Sequence, residues 1–423
     1  MVDSPLAKGR IARMRMYRDV LSLPGAWQFS AAGLLARSGG AMMGLGIVMM
    51  VSALYGSYAL AGGLAAANAI AWAAGTAVLS NLVDRYGQRR VMWPAAITSA
   101  VMLSVVVTLA VLGLPAWTLF APVILSGATA GAPGALVRAR WNHLTSNPHQ
   151  LHAAYSLEST LDEITFIVGP VAATALSTGV HPAAGVAAPV VLGLLGAHLF
   201  YSQRSTEPPL HPRTSADRSR APRQFVLGTP GVAAVVAINV LIGGVFGSID
   251  VSVVAATSDW GVRPAAGMVL AVFSFASGIA GFAYGTRAWR SPVPGRFVWG
   301  VVAMFVATGA LVFARSEWAL AGAGLLVGAT IAPTLINGNT LIGRLVQRHN
   351  LTEGLAWMST GLGIGVAVGS SLAGAFIDAS GYSGGLLVVA VFAGAAAGIA
   401  LLALRGLHRA DAAAGASGLP GDR

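Results

Sequence analysis

Cysteine is absent from all 423 residues. That excludes disulfides, thiolate metal sites and cysteine nucleophiles. Charge is nearly as scarce: Asp, Glu, Lys and Arg make up 10% of the chain, against ~25% in an ordinary soluble domain. A phosphate-cradling Gly-x-x-x-x-Gly-Lys-Ser/Thr loop is missing, which speaks against direct ATP hydrolysis. Gly44 and Gly46 are too isolated in apolar surroundings to replace it. A His-x-x-x-His pair is missing as well. Neither a metal nor an organic cofactor is therefore expected.

What fills the chain is apolar. Hydrophobic residues reach 55% and glycine numbers 54, and the mean hydropathy is +0.71. Such a chain must present much of its surface to lipid, and its small residues let membrane helices pack closely. Apolar runs lie near 27–53, 59–80, 91–112, 116–137, 157–178 and 183–203, then near 231–255, 264–286, 297–314, 318–343, 353–377 and 384–404. A helix of about 20 residues, rising ~1.5 Å per residue, crosses a ~30 Å hydrocarbon core. The expected fold is all-α, with twelve transmembrane helices in two six-helix bundles. The bundles span 27–203 and 231–404. A basic segment, 1–26, precedes them, the proline- and arginine-rich linker 204–230 joins them, and a disordered tail, 405–423, follows. The first run is too long for a signal-peptide core and reads as a retained helix.

The basic residues set the orientation. With both termini cytoplasmic, 23 of the 26 fall in the segments on that side, Arg138 and Arg140 among them. Two, Arg263 and Arg315, fall in outside loops, and one, Arg37, lies within a span. The positive-inside rule admits no inverted arrangement. The net charge of +11 is thus an orientation signal, and nucleic acid is not an expected partner. The expected location is the plasma membrane.

The densest charged turn is NLVDRYGQRR, 81–90, between the second and third spans. Gly87 can take a positive φ and reverse the chain. The turn resembles motif A of the major facilitator superfamily, Gly-x-Leu-x-Asp-Arg-x-Gly-Arg-Arg/Lys. Leu82, Asp84, Arg85, Gly87, Arg89 and Arg90 match, while Ser80 replaces the first glycine and Gln88 an arginine. The resemblance implies a major facilitator fold and a cytoplasmic latch between the two halves. Two departures stand out: the fourth span has no acid to receive an arginine, and Glu353 opens the eleventh, where it would repel Asp84. Between the eighth and ninth spans, Gly281, Gly285 and Arg287 form a degenerate counterpart. Gly169-Pro170 in the fifth span is similar to the core of motif C, which the superfamily's drug/proton antiporters carry. The mid-span arginine that many of those antiporters have in the fourth span is missing.

Charges inside a span are costly and mark function. Arg37 lies about ten residues into the first span, and Asp162 and Glu163 lie in the fifth. These three are the proton-coupling candidates. Adjacent residues of a helix point ~100° apart, and periodicity does not decide whether Asp162 or Glu163 faces the cavity. The working expectation pairs Arg37 with Glu163 and puts Asp162 nearer the loop. Asp250 reads as an outer-interface residue or part of a substrate site. Asn239, Asn337, Asn339, Phe166 and Trp357 are further candidates for lining the cavity.

The functional expectation is proton-coupled export of small amphipathic organic molecules by alternating access, without catalysis, by a monomer. Its partners are the substrate, protons and the bilayer, and its energy source is the proton gradient. An importer or exchanger of a polar metabolite is the alternative, and a receptor that has lost transport a more distant one.

Overall fold

The computed structural model describes residues 17–209, 226–287, 289–347 and 351–416. Among them are twelve long helices and no strand. The N-terminal six are α1 (Ala26–Tyr55), α2 (Tyr58–Tyr86), α3 (Gln88–Val111), α4 (Ala116–Leu144), α5 (Pro148–Gly179) and α6 (Ala184–Ser202). The C-terminal six are α7 (Val232–Asp259), α8 (Ala265–Gly285), α9 (Val293–Val312), α10 (Glu317–Leu345), α11 (Leu351–Ser380) and α12 (Tyr382–Ala416). Eleven are long and apolar enough to cross a membrane. The twelfth, α5, has the length but carries Glu158, Asp162 and Glu163.

Local chemistry sets the ends. Asn147 caps α5 by accepting from Gln150 N, with Pro148 in the first turn, where its missing N–H costs nothing. Ser316 caps α10 in the same way through Ala319 N. Pro170 sits inside α5 without ending it.

Two boundaries differ from the sequence reading, and both matter. The fourth helix does not stop near 137. It breaks at Gly131, where φ is +66°, restarts at Pro133 and runs to Leu144. The Gly131 carbonyl freed at the break accepts from Trp72 Nε1 at 2.7 Å. Arg138 and Arg140, expected in a loop, therefore stand on helix. The twelfth helix also runs past 404, to Ala416, so residues 405–416 are ordered rather than a loose tail. Leu407 is buried there, and Asp411 pairs with Arg344 at 3.6 Å.

Helix pairing repeats with a shift of six. The contacts α1–α6, α2–α4, α3–α4, α3–α6 and α1–α5 recur as α7–α12, α8–α10, α9–α10, α9–α12 and α7–α11. Two related halves are thus present, as expected of duplicated bundles. They meet mainly along α2–α11 and α5–α8.

The junction is tight at one end only. At the face opposite the 81–90 turn, a Cβ on Gly62 would lie 2.1 Å from Ser370 O, and one on Gly374 2.2 Å from Tyr58 O. The backbones touch there because neither glycine has a side chain. Arg263, before α8, donates to Met49 O at 2.9 Å and Ser52 Oγ at 2.7 Å on α1. Asp378, at the end of α11, meets the start of α2. Towards the turn-bearing face, which we call the basic face, the contact lapses. Val78, Asn81, Asp84, Arg85, Glu353 and Leu355 are all exposed. The halves are closed at one face and parted at the other.

Candidate functional site

The central feature is a charged cluster inside the N-terminal half. Glu158, one turn before Asp162 on α5, has a side chain with no exposed surface. It pairs with Arg37 Nη2, and its Oε1 accepts from Ser30 Oγ at 2.7 Å and from Trp141 Nε1 at 2.7 Å. Asp162 lies 3.0 Å from Arg37 Nη1 and accepts from Arg138 Nη2 at 2.7 Å. Two guanidinium groups and two carboxylates thus balance, which is what makes buried charge tolerable. Gly134 makes room for both arginines: a Cβ there would stand 3.2 Å from Arg138 Nη1 and 3.4 Å from Arg37 Cδ. Exposure rises across the cluster, from Glu158 and Arg37 to the partly exposed Asp162 and Arg138. The cluster therefore has a dry end and a wet end.

The expected Arg37–Glu163 pair is not formed. Glu158, Asp162 and the α5 residues Gly169 and Ala173 share one side by the i, i+4 and i+7 rule. That side faces α1, and a Cβ on Gly169 would lie 3.0 Å from Ala41 Cβ. Glu163 is turned ~100° away. It is exposed, faces α8, and its Oε2 would stand 3.0 Å from a Cβ on Gly278. It makes no ion pair or hydrogen bond among the described residues. Sequence reasoning missed Glu158 and Arg138. The Glu158–Asp162 spacing was the available signal for the first. The second required the extension of α4.

The substrate-cavity candidates divide. Asn239 is buried and donates to Met358 O at 2.6 Å, tying α7 to α11. Asn337 is buried between Tyr284 Oη, at 2.8 Å, and Pro333 O. Neither lines open space, because each spends its amide on a neighbouring helix. Asp250 is half-buried on the α7 side that also carries Gly243 and Gly247, about 13 Å short of the helix end. Trp357 is half-buried against the core. Phe166 and Asn339 are exposed. Phe166 lies on α5 between the sides facing α1 and α8. On α1, Gly40 and Gly44 would have nothing within 4 Å of an added Cβ, so they border open space.

The charged turn has its own support. Gly87, at φ +90°, separates α2 from α3 and donates to Val83 O at 2.8 Å. Asp84 and Arg85 are exposed and unpaired among the described residues, so the latch implied by the resemblance is not engaged. The Arg89 backbone N–H donates to Glu207 Oε1 at 3.0 Å, which places a linker carboxylate at the start of α3; Arg90 is exposed. Gln88 is buried and accepts from Arg140 Nε at 3.0 Å. Arg140 has no exposed surface, also donates to Gln203 O and Thr206 Oγ1, and stacks 3.8 Å over the Phe200 ring. An arginine at 88 would meet this cation with no acceptor to offer. The departure from motif A follows from Arg140.

Comparisons with known proteins agree with this architecture. The family model described as Major Facilitator Superfamily matches residues 29–254 and 235–419. The POT family transporter PepTSo superposes with a TM-score of 0.73 at 11% identity, covering 92% of this chain and 98% of its own. A peptide transporter POT, solved in complex with sulfate, gives 0.71 at 11%, covering 92% and 95%. The nucleoside transporter NupG gives 0.68 at 13%, covering 91% and 99%. No curated protein matches by sequence. With both halves matched by the family model and twelve helices in two related bundles, the chain belongs to the Major Facilitator Superfamily of membrane transporters.

Proposed function

We propose that the chain is a proton-coupled exporter of small amphipathic organic molecules, working as a monomer in the plasma membrane by alternating access. The bundles 27–203 and 231–404 are its rocking bodies and 204–230 its hinge linker. The bias of basic residues supports a cytoplasmic basic face and cytoplasmic termini. On that orientation the closed junction is outward and the cavity opens inward.

The observation that carries the reading is the division of labour on α5. Asp162 is held between Arg37 and Arg138, while Glu163, one residue on, faces α8 unpaired. A carboxylate free to take a proton, beside one already neutralised by arginines, is the arrangement that couples protonation to movement of the α5–α8 junction. Phe166 adds an aromatic surface to the same wall. Gly169-Pro170 supports export, and the absence of other charged pairs among the described residues in the middle of the C-terminal half supports an amphipathic rather than a highly polar substrate. The alternative, an importer or exchanger of a polar metabolite, draws on the resemblance to nucleoside and peptide transporters and on the wet end of the cluster at Asp162 and Arg138.

Purified protein in proteoliposomes under an imposed pH gradient tests the proposal. Lipophilic cations, neutral drugs, nucleosides, peptides and sugars would be presented in turn. Proton flux driven by an amphipathic compound supports it. Flux driven only by nucleosides or peptides supports the alternative.

A further inference from the structure

At the face opposite the charged turn, α2 begins with backbone N–H groups that have no partner within the helix. Ser57 accepts from one of them, Leu60 N, at 3.1 Å. The other acceptor comes from the far half of the molecule. Asp378 Oδ1 accepts from Tyr58 N at 2.8 Å, and Oδ2 accepts from Ala59 N at 2.9 Å and from Ser57 Oγ at 2.7 Å. The N-cap of α2 is thus completed by a carboxylate more than 300 residues away. The negative charge also sits against the positive end of the α2 dipole.

Helices α2 and α11 run antiparallel, so each end of the pair joins the start of one helix to the finish of the other. Asp378 stands 27 residues after Leu351, the first residue of α11. Asp84 stands 26 residues after Tyr58, the first of α2. Each helix therefore carries one carboxylate near its C-terminal end, at matched positions. Asp378 is engaged. Asp84 is unpaired among the described residues, and the helix start it would have to reach carries Glu353, also exposed.

We propose that Asp378 is a latch that holds the opposite face shut by capping α2, and that it must release for the transporter to open there. Asp84 cannot compensate equally at the other end, because Glu353 repels it at the start of α11. The two ends are unequal, and the latch biases the protein towards the state with the basic face parted. The inference does not depend on the substrate, the coupling ion or the direction of transport.

The lack of cysteine allows a direct test by double electron–electron resonance in nanodiscs. One spin-labelled pair, at Leu112→Cys and Phe313→Cys, reports on the opposite face; both sites are highly exposed and follow α3 and α9. A second pair, at His152→Cys and Thr286→Cys, reports on the basic ends of α5 and α8. Asp378→Ala should raise the long-distance population of the first pair about fivefold, the scale of one charge–dipole contact with its hydrogen bonds. It should shorten the second pair in the same sample, which local fraying of α2 would not do. Asp378→Asn, which keeps an acceptor but loses the charge, should fall between Ala and wild type. Ser57→Ala should give a smaller shift in the same direction, and it carries the test with Asp378→Asn should Asp378→Ala not purify as a monodisperse protein. Distances unchanged by these variants, or a change confined to the first pair, would overturn the proposal.

Discussion

Arg37 on α1 and Glu158 on α5 form an ion pair closed to solvent, with 9% and 0% of their side chains exposed. The pair binds the first and fifth helices at a depth where neither charge could stand alone. Its energetic role follows from what each partner would lose, since removing one side of a buried pair leaves the other unpaired.

Glu158→Ala should therefore cost about 3–5 kcal/mol, and it also orphans the Trp141 indole N–H and the Ser30 hydroxyl. Thermal unfolding in detergent should show a large drop in Tm. The double variant Arg37→Met/Glu158→Leu should recover part of the loss, because replacing a whole buried pair by apolar side chains is often neutral while the Trp141 and Ser30 donors stay orphaned. Equal losses in the single and double variants would show that packing, not charge, is at stake.

Asp162 is a quarter exposed and shared by two arginines. Partial hydration lowers its structural worth. Asp162→Asn should cost only about 1 kcal/mol while releasing Arg138 and loosening Arg37. The expected result is a near-normal Tm with an altered pH profile of transport. A Tm loss as large as that of Glu158→Ala would contradict the division into dry and wet ends.

The Gly62–Ser370 approach admits no side chain. Gly62→Val should overpack the closed junction by about 1–3 kcal/mol, shifting the protein towards opening at that face. Transport should fall while the purified protein stays monodisperse. Unchanged transport rates would mean that the junction has slack beyond what the backbone contacts allow.

Gln88→Arg restores the arginine expected of motif A. Here it should destabilise, because Arg140 is fully buried against Gln88 and a second guanidinium would replace the amide oxygen that accepts from it. A lowered Tm is expected, and Gln88→Arg/Arg140→Gln should regain part of it. A rise in Tm for Gln88→Arg alone would refute this account of the turn.

The helices and the duplication were legible in the sequence because hydrophobic length and loop charge report directly on bilayer crossing. The charged turn was legible because its spacing is dense and local. The partners were not. Arg37 could be recognised as an intramembrane charge, but choosing Glu158 over Glu163 needs the rotation of α5 about its axis, which packing of Gly169 on Ala41 sets. Arg138 was hidden by the Gly131–Pro133 break, which reads as the end of a helix and is an interruption. Asn239 and Asn337 looked like cavity residues because sequence shows polarity and not the neighbouring carbonyl or hydroxyl that absorbs it. Asp378 gave no signal at all, since its partner, the start of α2, lies in the other half of the chain.

In the proposed mechanism α5 couples protons to transport through Glu163, the acid that faces α8 unpaired among the described residues. The most direct measurement compares wild type with Glu163→Gln in proteoliposomes, recording substrate movement driven by a pH gradient alongside substrate exchange without one. Glu163→Gln is expected to lose gradient-driven transport and keep exchange, with its Tm unchanged. Full pH-driven transport by Glu163→Gln would contradict it.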